Sequence, residues 1–136
     1  HNLSLGVSIE DGLVTALQEM ARYINLAKDL TVEVVESEIQ LRLENRIELQ
    51  LFRVIQELVT NTIKHAKAKR ALIQLTQHED DLNIMVEDDG VGFDINNTEL
   101  GMGLINVEKR LERIGAQYQF DSSPKHGTTV IINVPI

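Results

Sequence analysis

The chain has 136 residues, a length that fits one domain. Its 13 Lys and Arg against 21 Asp and Glu give a net charge of −8, which argues against a nucleic-acid-binding surface because such a surface needs basic side chains. The lack of Cys excludes disulfides and thiolate zinc sites, and no apolar run is long enough to span a membrane. The first residue is His1, and we expect the chain to be a piece of a longer protein.

Hydrophobic periodicity predicts the elements of the first half of the chain. Apolar residues recur at helical spacing over residues 13–24, after Asp11 as an N-cap, and predict a first helix. Residues 30–35 predict a strand. The longest predicted helix spans residues 44–66, where apolar residues keep a 3.6-residue period without Gly or Pro.

The second half of the chain predicts mainly strands. Residues 71–76 and 82–86 alternate apolar and polar side chains around a polar turn, and predict an antiparallel hairpin. A helix is predicted over residues 103–114, with Gly115 as its C-terminal stop. The closing elements are strands over residues 117–121 and 128–134. This order is not a strict strand–helix alternation, so the sequence predicts an α+β fold, an α/β sandwich with a mixed, largely antiparallel sheet and helices on one face.

Four of the eight glycines, Gly90, Gly92, Gly101 and Gly103, fall within a short stretch of the sequence. One explanation is an ordinary surface loop. The other is a ligand loop, because glycine lets the backbone approach a ligand and present amide groups to an anion where a loop enters a helix. Residues 101–104 are expected to enter a helix in this way, which favours the second explanation. The P-loop sequence is absent.

Two carboxylates, Asp88 and Asp89, follow the predicted strand of residues 82–86 and precede the first glycine pair. Aspartate at a strand end commonly bonds the amides of its own turn. A carboxylate held at the end of a core strand also accepts a hydrogen bond from the amino group of a bound base. Spacing alone leaves both alternatives open.

A polar stripe, formed by Arg53, Glu57, Asn61 and Lys64, lies beside the apolar face of the longest predicted helix. Most such stripes are only solvated surface. A carboxylate, an amide oxygen and an ammonium group in successive turns also suit water, Mg²⁺ and phosphate respectively.

Three segments, in the order found here, carry a resemblance to a known superfamily: residues 56–66 (QELVTNTIKHA), 88–93 (DDGVGF) and 101–104 (GMGL). They resemble the N, G1 and G2 boxes of the ATPase superfamily of gyrase, heat-shock chaperones, histidine kinases and mismatch-repair proteins. Gly127 and Thr128 also match a late strand of that superfamily. The resemblance spans about residues 43–136.

Within the superfamily, the chain is similar to sensor histidine kinases of the nitrate-sensor and desaturase-regulator type. The similar features are the short segment between Phe93 and Gly101 and the run of residues 103–111. This resemblance implies the Bergerat ATP-binding fold. It implies that residues 1–28 are the first helix and the connection after an absent dimerisation and phosphoacceptor hairpin. Residues 29–136 would be the ATP-binding catalytic domain, within one compact domain overall.

The resemblance also implies a role for each matching residue. Asp88 would accept a hydrogen bond from the adenine amino group, with Thr128 supporting it. Asn61 would coordinate Mg²⁺, and Lys64 would contact phosphate oxygens. Glu57 is a candidate general base and a second candidate Mg²⁺ ligand. The remaining nucleotide-binding residues belong to the two glycine segments: Gly90, Gly92, Gly101, Gly103 and Leu104, the last three through backbone amides at the phosphate end.

Two residues depart from the superfamily pattern. Asp89 replaces the commoner Asn and adds negative charge near a polyanion. Thr62 replaces the usual Ala, a small change on the neighbouring helix face.

The expected function is binding of Mg-ATP and transfer of its γ-phosphate to a histidine on the absent dimerisation domain, with a response regulator downstream. We expect this part of the protein to be cytoplasmic, without contact to membrane or nucleic acid, whereas the full-length protein is a candidate for anchoring in the inner membrane. The four histidines, at positions 1, 65, 78 and 126, are expected to be structural or exposed, so the chain should not phosphorylate itself. The alternatives are an anti-sigma-factor serine kinase of the same fold and a non-catalytic ATP-binding signalling module.

Overall fold

The structure is a computed structural model, and it describes residues 8–27, 30–37, 39, 42–92, 98–123 and 127–136. In these parts of the chain, three α-helices cover one face of a five-stranded sheet. The elements in chain order are α1 (Leu13–Ala27), β1 (Thr31–Ser37), α2 (Asn45–Asn61), β2 (Arg70–Gln77), β3 (Asp81–Asp88), α3 (Thr98–Arg113), β4 (Gln117–Ser123) and β5 (Gly127–Pro135). The predicted α+β sandwich is confirmed.

The sheet has the strand order β1-β2-β3-β5-β4, in which β1 and β2 are parallel and all other neighbours are antiparallel. The predicted hairpin of β2 and β3 is confirmed. The register places Asp88, the last residue of the central strand β3, between Ala71 of β2 and Thr128 of β5. The predicted site residues Asp88 and Thr128 are therefore cross-strand neighbours.

The core lies between the helices and the inner face of the sheet. Each helix contributes an apolar stripe and each inner strand contributes alternate residues, as their periodicities require. Leu17 and Ile24 of α1, Ile55 of α2 and Ile84 of β3 are fully buried in this one cluster. Burial of a side chain of this size stabilises the fold by about 1.5–3 kcal/mol. Helix α1 shares the core of the sandwich, whereas the domain division at residue 28 stays a prediction.

Helix α2 continues as a π-helical turn over Thr62–Ala66, so the predicted helical span of residues 44–66 is confirmed with a wider last turn. The turn ends at Lys67, whose φ of 52° is left-handed. A π-helical turn is rare and frequently lies at a functional site. Lys64 belongs to this turn, which follows α2 and lies beside the end of β3.

Helix α3 begins at Thr98, five residues before the predicted start, and therefore contains Gly101 and Gly103. The expectation of a glycine loop entering the helix at residues 101–104 is wrong for this structure. Glycine lowers helix stability by about 1 kcal/mol relative to alanine, but Val107 and Leu111 are buried against the core and hold the helix in place. The predicted end is confirmed, since Gly115 follows with a φ of +69°.

The two closing strands are confirmed and are slightly longer than predicted. None of the helices in the described stretches is long and apolar enough to cross a membrane. Three residues of the sequence analysis, His1, Phe93 and His126, lie outside the described residues.

Candidate functional site

Asp88 is the buried carboxylate at the centre of the candidate site, with only 7% of its surface exposed. Its Oδ1 accepts a hydrogen bond from the Gly90 amide at 2.8 Å, and its Oδ2 lies 3.2 Å from the hydroxyl of Thr62. Burial raises the pKa of Asp88 above its ordinary value, and the charge of Asp89 adds to the rise. Hydrogen bonds from Gly90, Thr62 and the Thr128 amide act in the opposite direction. The site thus holds a carboxylate whose charge is costly without a further donor.

Asp89 makes different hydrogen bonds from Asp88. Its Oδ1 accepts the backbone amides of Lys69 and Arg70, at 2.9 and 3.0 Å, and its own amide donates to the Arg70 carbonyl. The Arg70 and Lys69 amides, together with the Arg70 charge, lower the pKa of Asp89. Asp89 therefore connects the beginning of β2 to the end of β3 through these hydrogen bonds. Sequence spacing does not predict this role, because Lys69 and Arg70 are about 20 positions away from Asp89.

Two glycines allow the backbone to close around Asp88. A Cβ at Gly127, whose φ is +77°, would lie 2.2 Å from the Asp88 carbonyl oxygen. A Cβ at Gly90 would lie 2.3 Å from the carbonyl oxygen of Ala66, which accepts the Val91 amide at 2.8 Å. Close backbone approach therefore requires glycine at both positions.

The second half of the candidate site is the contact between α2 and the beginning of α3. A Cβ at Gly103 would lie 2.9 Å from Oε2 of Glu57 and 3.5 Å from Nδ2 of Asn61. Asn61 is buried, and its Nδ2 has no hydrogen-bond partner in the described part of the chain. A buried polar atom without a partner is uncommon and calls for an explanation. A ligand that binds beside Nδ2 would explain the missing partner.

A polar cleft of about 540 Å³ lies between α2 and α3. The predicted stripe supplies one wall of the cleft, through Arg53, Glu57 and Lys64. The residues of α3 on the other wall were missed by the sequence analysis: Asn106, Val107 and Arg110. Asn106 and Arg110 are four residues apart and so share a helix face, but only the packing of α3 shows which helix they face.

The predicted amide donors of the G2 segment are not all available in this arrangement. In a helix that begins at Thr98, amides from residue 102 onwards bond within the helix, because each N–H bonds the carbonyl four residues before it. The amides of Gly103 and Leu104 are bonded in this way, whereas the Cβ position of Gly101 has open space around it. Leu104 also directs its side chain to an apolar groove beside Phe120. Binding of phosphate by all three amides would require the first turn of α3 to unwind.

Asn61 and Thr62 connect the two halves of the candidate site. They are consecutive residues, yet Asn61 adjoins Gly103 and Thr62 lies within hydrogen-bond distance of Asp88. The N, G1 and G2 segments therefore meet at the C-terminal end of α2.

The described residues form an α/β sandwich with a buried carboxylate at a strand end and a polar helix stripe beside it. A family model described as "Histidine kinase-, DNA gyrase B-, and HSP90-like ATPase" matches residues 46–136, and the chain belongs to this family.

Similar proteins include sensor kinases. The chain is 40% identical over 104 residues to an uncharacterised sensor-like histidine kinase of Chloroflexus aurantiacus, which covers 71% of the chain and 17% of that protein. It is 31% identical over 134 residues to the sensor protein VraS of Staphylococcus saprophyticus, covering 98% of the chain and 36% of that protein. The chain thus spans about a third or less of these relatives.

The fold itself matches a solved histidine kinase domain, that of the Erythrobacter litoralis EL346 blue-light activated histidine kinase. The TM-score is 0.70 at 23% identity, and the match covers 90% of this chain and 64% of that one.

Proposed function

We propose that the chain binds Mg-ATP and delivers the γ-phosphate to a histidine on a separate dimerisation domain, as the catalytic domain of a two-component sensor histidine kinase. One observation carries the proposal: two consecutive residues, the last of α2 and the first of the π-helical turn, adjoin the two glycine-rich segments, Asn61 at Gly103 and Thr62 at Asp88. Family membership and the sensor-kinase relatives support it. The nitrate-sensor and desaturase-regulator subtype stays a prediction from the sequence.

The adenine end of the site is assigned to Asp88. Its buried carboxylate gains most from a ligand that donates a hydrogen bond, and the adenine amino group is such a donor. Guanine presents a carbonyl at that position, so the carboxylate would face a lone pair. Thr128 supports Asp88 from the neighbouring strand. Gly90 and Gly92 shape the loop beside it.

The metal and phosphate end is assigned to the polar side of α2. Mg²⁺ takes carboxylate and amide oxygens together with substrate phosphates, and Asn61 and Glu57 carry such oxygens side by side beneath Gly103. The unpartnered Nδ2 of Asn61 fits this assignment. Because Nδ2 makes no hydrogen bond, the side-chain amide can rotate by 180° and present Oδ1 beside Gly103 without losing one. When bound, Mg²⁺ neutralises phosphate charge. Lys64, exposed at the cleft, adds a positive charge.

The remaining roles follow from this placement. The amides of Gly101, Gly103 and Leu104 receive the phosphate end after the first turn of α3 opens. Glu57 either organises the metal or accepts a proton from the attacking group. Positioning and neutralisation of phosphate charge carry most of the catalysis in phosphoryl transfer.

The proposed phosphate acceptor lies outside this chain. His78 is in the turn between β2 and β3, at the opposite end of β3 from Asp88. At about 3.3 Å per residue, the strand separates the two ends by about 20 Å. His78 is thus distant from the adenine end of the site and is not among the residues that line the cleft between α2 and α3, so we do not expect it to accept the γ-phosphate. We propose a dimerisation domain as acceptor, a response regulator downstream and a cytoplasmic location for this domain.

The test is labelling with γ-³²P-ATP, with and without the dimerisation segment of a sensor kinase supplied in trans. We expect acid-labile phosphohistidine on that segment, no label on the chain itself, and loss of labelling in Asn61→Ala, with His78→Gln as the matched control. Acid-stable label on a protein serine would instead identify an anti-sigma-factor kinase. ATP binding without transfer would identify a non-catalytic module. Labelling of the isolated chain that His78→Gln abolishes would overturn the proposal.

A further inference from the structure

Thr62 is the first residue of the π-helical turn, and its side chain is buried. Its Oγ1 lies 3.2 Å from Oδ2 of Asp88 and 3.1 Å from the carbonyl oxygen of Leu58. From the resemblance to the ATPase superfamily, the replacement of the usual Ala by Thr62 is expected to be a small change. The contacts give the hydroxyl a direct connection to the carboxylate that we assign to adenine.

The hydroxyl of Thr62 has one proton and two possible acceptors. The Leu58 carbonyl and an ionised Asp88 can only accept hydrogen bonds. The Thr62 hydroxyl therefore donates to one of them at a time. The Leu58 carbonyl also accepts the backbone amide of Thr62 and keeps a partner in either case. The proton can therefore turn to Asp88 without leaving a buried acceptor unsatisfied.

The two carboxylate oxygens of Asp88 are held differently. Oδ1 is bound by the Gly90 amide, whose direction is fixed by the backbone. Oδ2 is held by Thr62, whose hydroxyl rotates about a single bond. Of these two donors, only the Thr62 hydroxyl can turn to make room for a ligand that approaches its oxygen.

We propose that Thr62 is a positioning residue for nucleotide recognition, which holds Oδ2 of Asp88 in the direction of the incoming amino group. This inference rests on the proposed function of Asp88. Thr62 touches the recognising group and not the base itself. Its loss should therefore weaken nucleotide binding through Asp88, with a changed dependence on pH.

Among the described residues, four groups face Asp88. They are the Thr62 hydroxyl from the π-helical turn, the Thr128 amide from β5, and the Gly90 amide and the Asp89 carboxylate from the following loop. Asp89 raises the pKa of Asp88, and the other three lower it. Removal of the Thr62 hydroxyl should raise that pKa further, whereas Asp89 and the two amides are the same in every variant.

The experiment is calorimetric titration of the chain with ADP across pH 4–8. Thr62→Val keeps the branched shape without the hydroxyl, and Thr62→Ser keeps the hydroxyl without the methyl group. We expect Thr62→Val to weaken ADP binding about ten- to a hundredfold, the worth of one hydrogen bond to a charged group. The loss of affinity on acidification should begin at a higher pH in Thr62→Val. Thr62→Ser should retain the profile of the unsubstituted chain.

Asp88→Asn separates the failure of this inference from failure of the proposed function. If Asp88→Asn binds ADP as tightly as the unsubstituted chain, or if the unsubstituted chain does not bind ADP, the adenine assignment fails and the Thr62 inference fails with it. If Asp88→Asn weakens binding but Thr62→Val changes neither affinity nor the pH profile, only the Thr62 inference is overturned. Circular dichroism checks folding, and Thr62→Ala replaces Thr62→Val if the latter does not fold.

Discussion

Gly103 of α3 lies directly against the carboxylate of Glu57, so closely that a Cβ at position 103 would be 2.9 Å from Oε2. A contact this short obliges Glu57 to move if any other residue replaces the glycine. The second glycine of the G2 segment therefore leaves room for the Glu57 side chain where the two helices pack, in addition to any approach to a ligand.

The pair Gly101→Ala and Gly103→Ala tests this packing. Both positions are helical, and alanine gains about 0.5–1 kcal/mol over glycine in a helix. Gly101 has no atom within 4 Å of its Cβ position, so Gly101→Ala should raise the free energy of unfolding by about that amount. Gly103→Ala should raise it less, because Glu57 must be displaced. Urea unfolding without nucleotide measures both, and equal gains would contradict the contact.

Gly127→Ala should be among the more damaging substitutions in the chain. It forces a left-handed φ on a residue with a Cβ and drives that Cβ to 2.2 Å from the Asp88 carbonyl oxygen. The φ alone costs about 1–2 kcal/mol, and backbone cannot move aside as a side chain can. Gly115→Ala is the control, since its φ is +69° and its Cβ position is open. We expect Gly127→Ala to lose at least about 1 kcal/mol more than Gly115→Ala in chemical denaturation, and similar losses would rule out the clash.

Sequence periodicity predicted α2 and the β2–β3 hairpin because each buries one face along its length. Asp88 and Asn61 were predicted as site residues because each belongs to a short motif, in which a few neighbouring residues are enough for recognition. The start of α3 was missed because two glycines lower local helix propensity, and the packing of the helix against the core decides the outcome. The contact of Thr62 with Asp88 was missed because the two residues are 26 positions apart in the sequence.

Asp88→Asn should leave the stability of the ligand-free chain unimpaired at pH 7. The pKa of Asp88 is raised in the folded state, so the native chain binds more protons than the unfolded chain between the unfolded and folded pKa values, and stability falls as pH rises through that window. An asparagine does not ionise and avoids this cost. Its Oδ1 still accepts the Gly90 amide, and its Nδ2 can donate to Thr62, whose proton then serves Leu58.

The measurement for Asp88→Asn is denaturant unfolding between pH 4 and 7, beside ADP calorimetry at pH 7. We expect the stability difference, variant minus unsubstituted chain, to increase with pH, while ADP affinity falls about ten- to a hundredfold. A variant that loses stability and affinity together would indicate that Asp88 is a structural carboxylate.

Asp89 should show the opposite pH dependence. Its pKa is lowered in the folded chain, so the stability that it contributes is present above the unfolded pKa and is lost as pH falls through the lower, folded value. Asp89→Asn keeps an oxygen for the Lys69 and Arg70 amides but removes the charge. Its stability should be below that of the unsubstituted chain at pH 6, and the difference should shrink towards pH 3. Asp89→Ala, which also removes the acceptor, should lose more at every pH, and a difference that does not change with pH would exclude the charged bond.

Arg42→Ala should destabilise the chain far more than Arg46→Ala, although each removes one ion pair. Glu48 is buried and accepts Nε and Nη2 of Arg42 as well as the Leu43 amide. Loss of Arg42 leaves a buried carboxylate with one backbone donor, at a cost of about 2 kcal/mol or more.

The Arg46 pair with Glu44 is exposed on both sides, and such pairs contribute about 1 kcal/mol or less. Arg42 also donates to the carbonyls of Ile9 and Glu10, so its loss should speed hydrogen exchange in the segment before α1. Adding Glu48→Gln to Arg42→Ala should recover part of the lost stability, because the neutral amide is cheaper to bury than an unpaired charge. A double variant less stable than Arg42→Ala alone would show that Glu48 acts through its other hydrogen bonds and not through the buried charge pair.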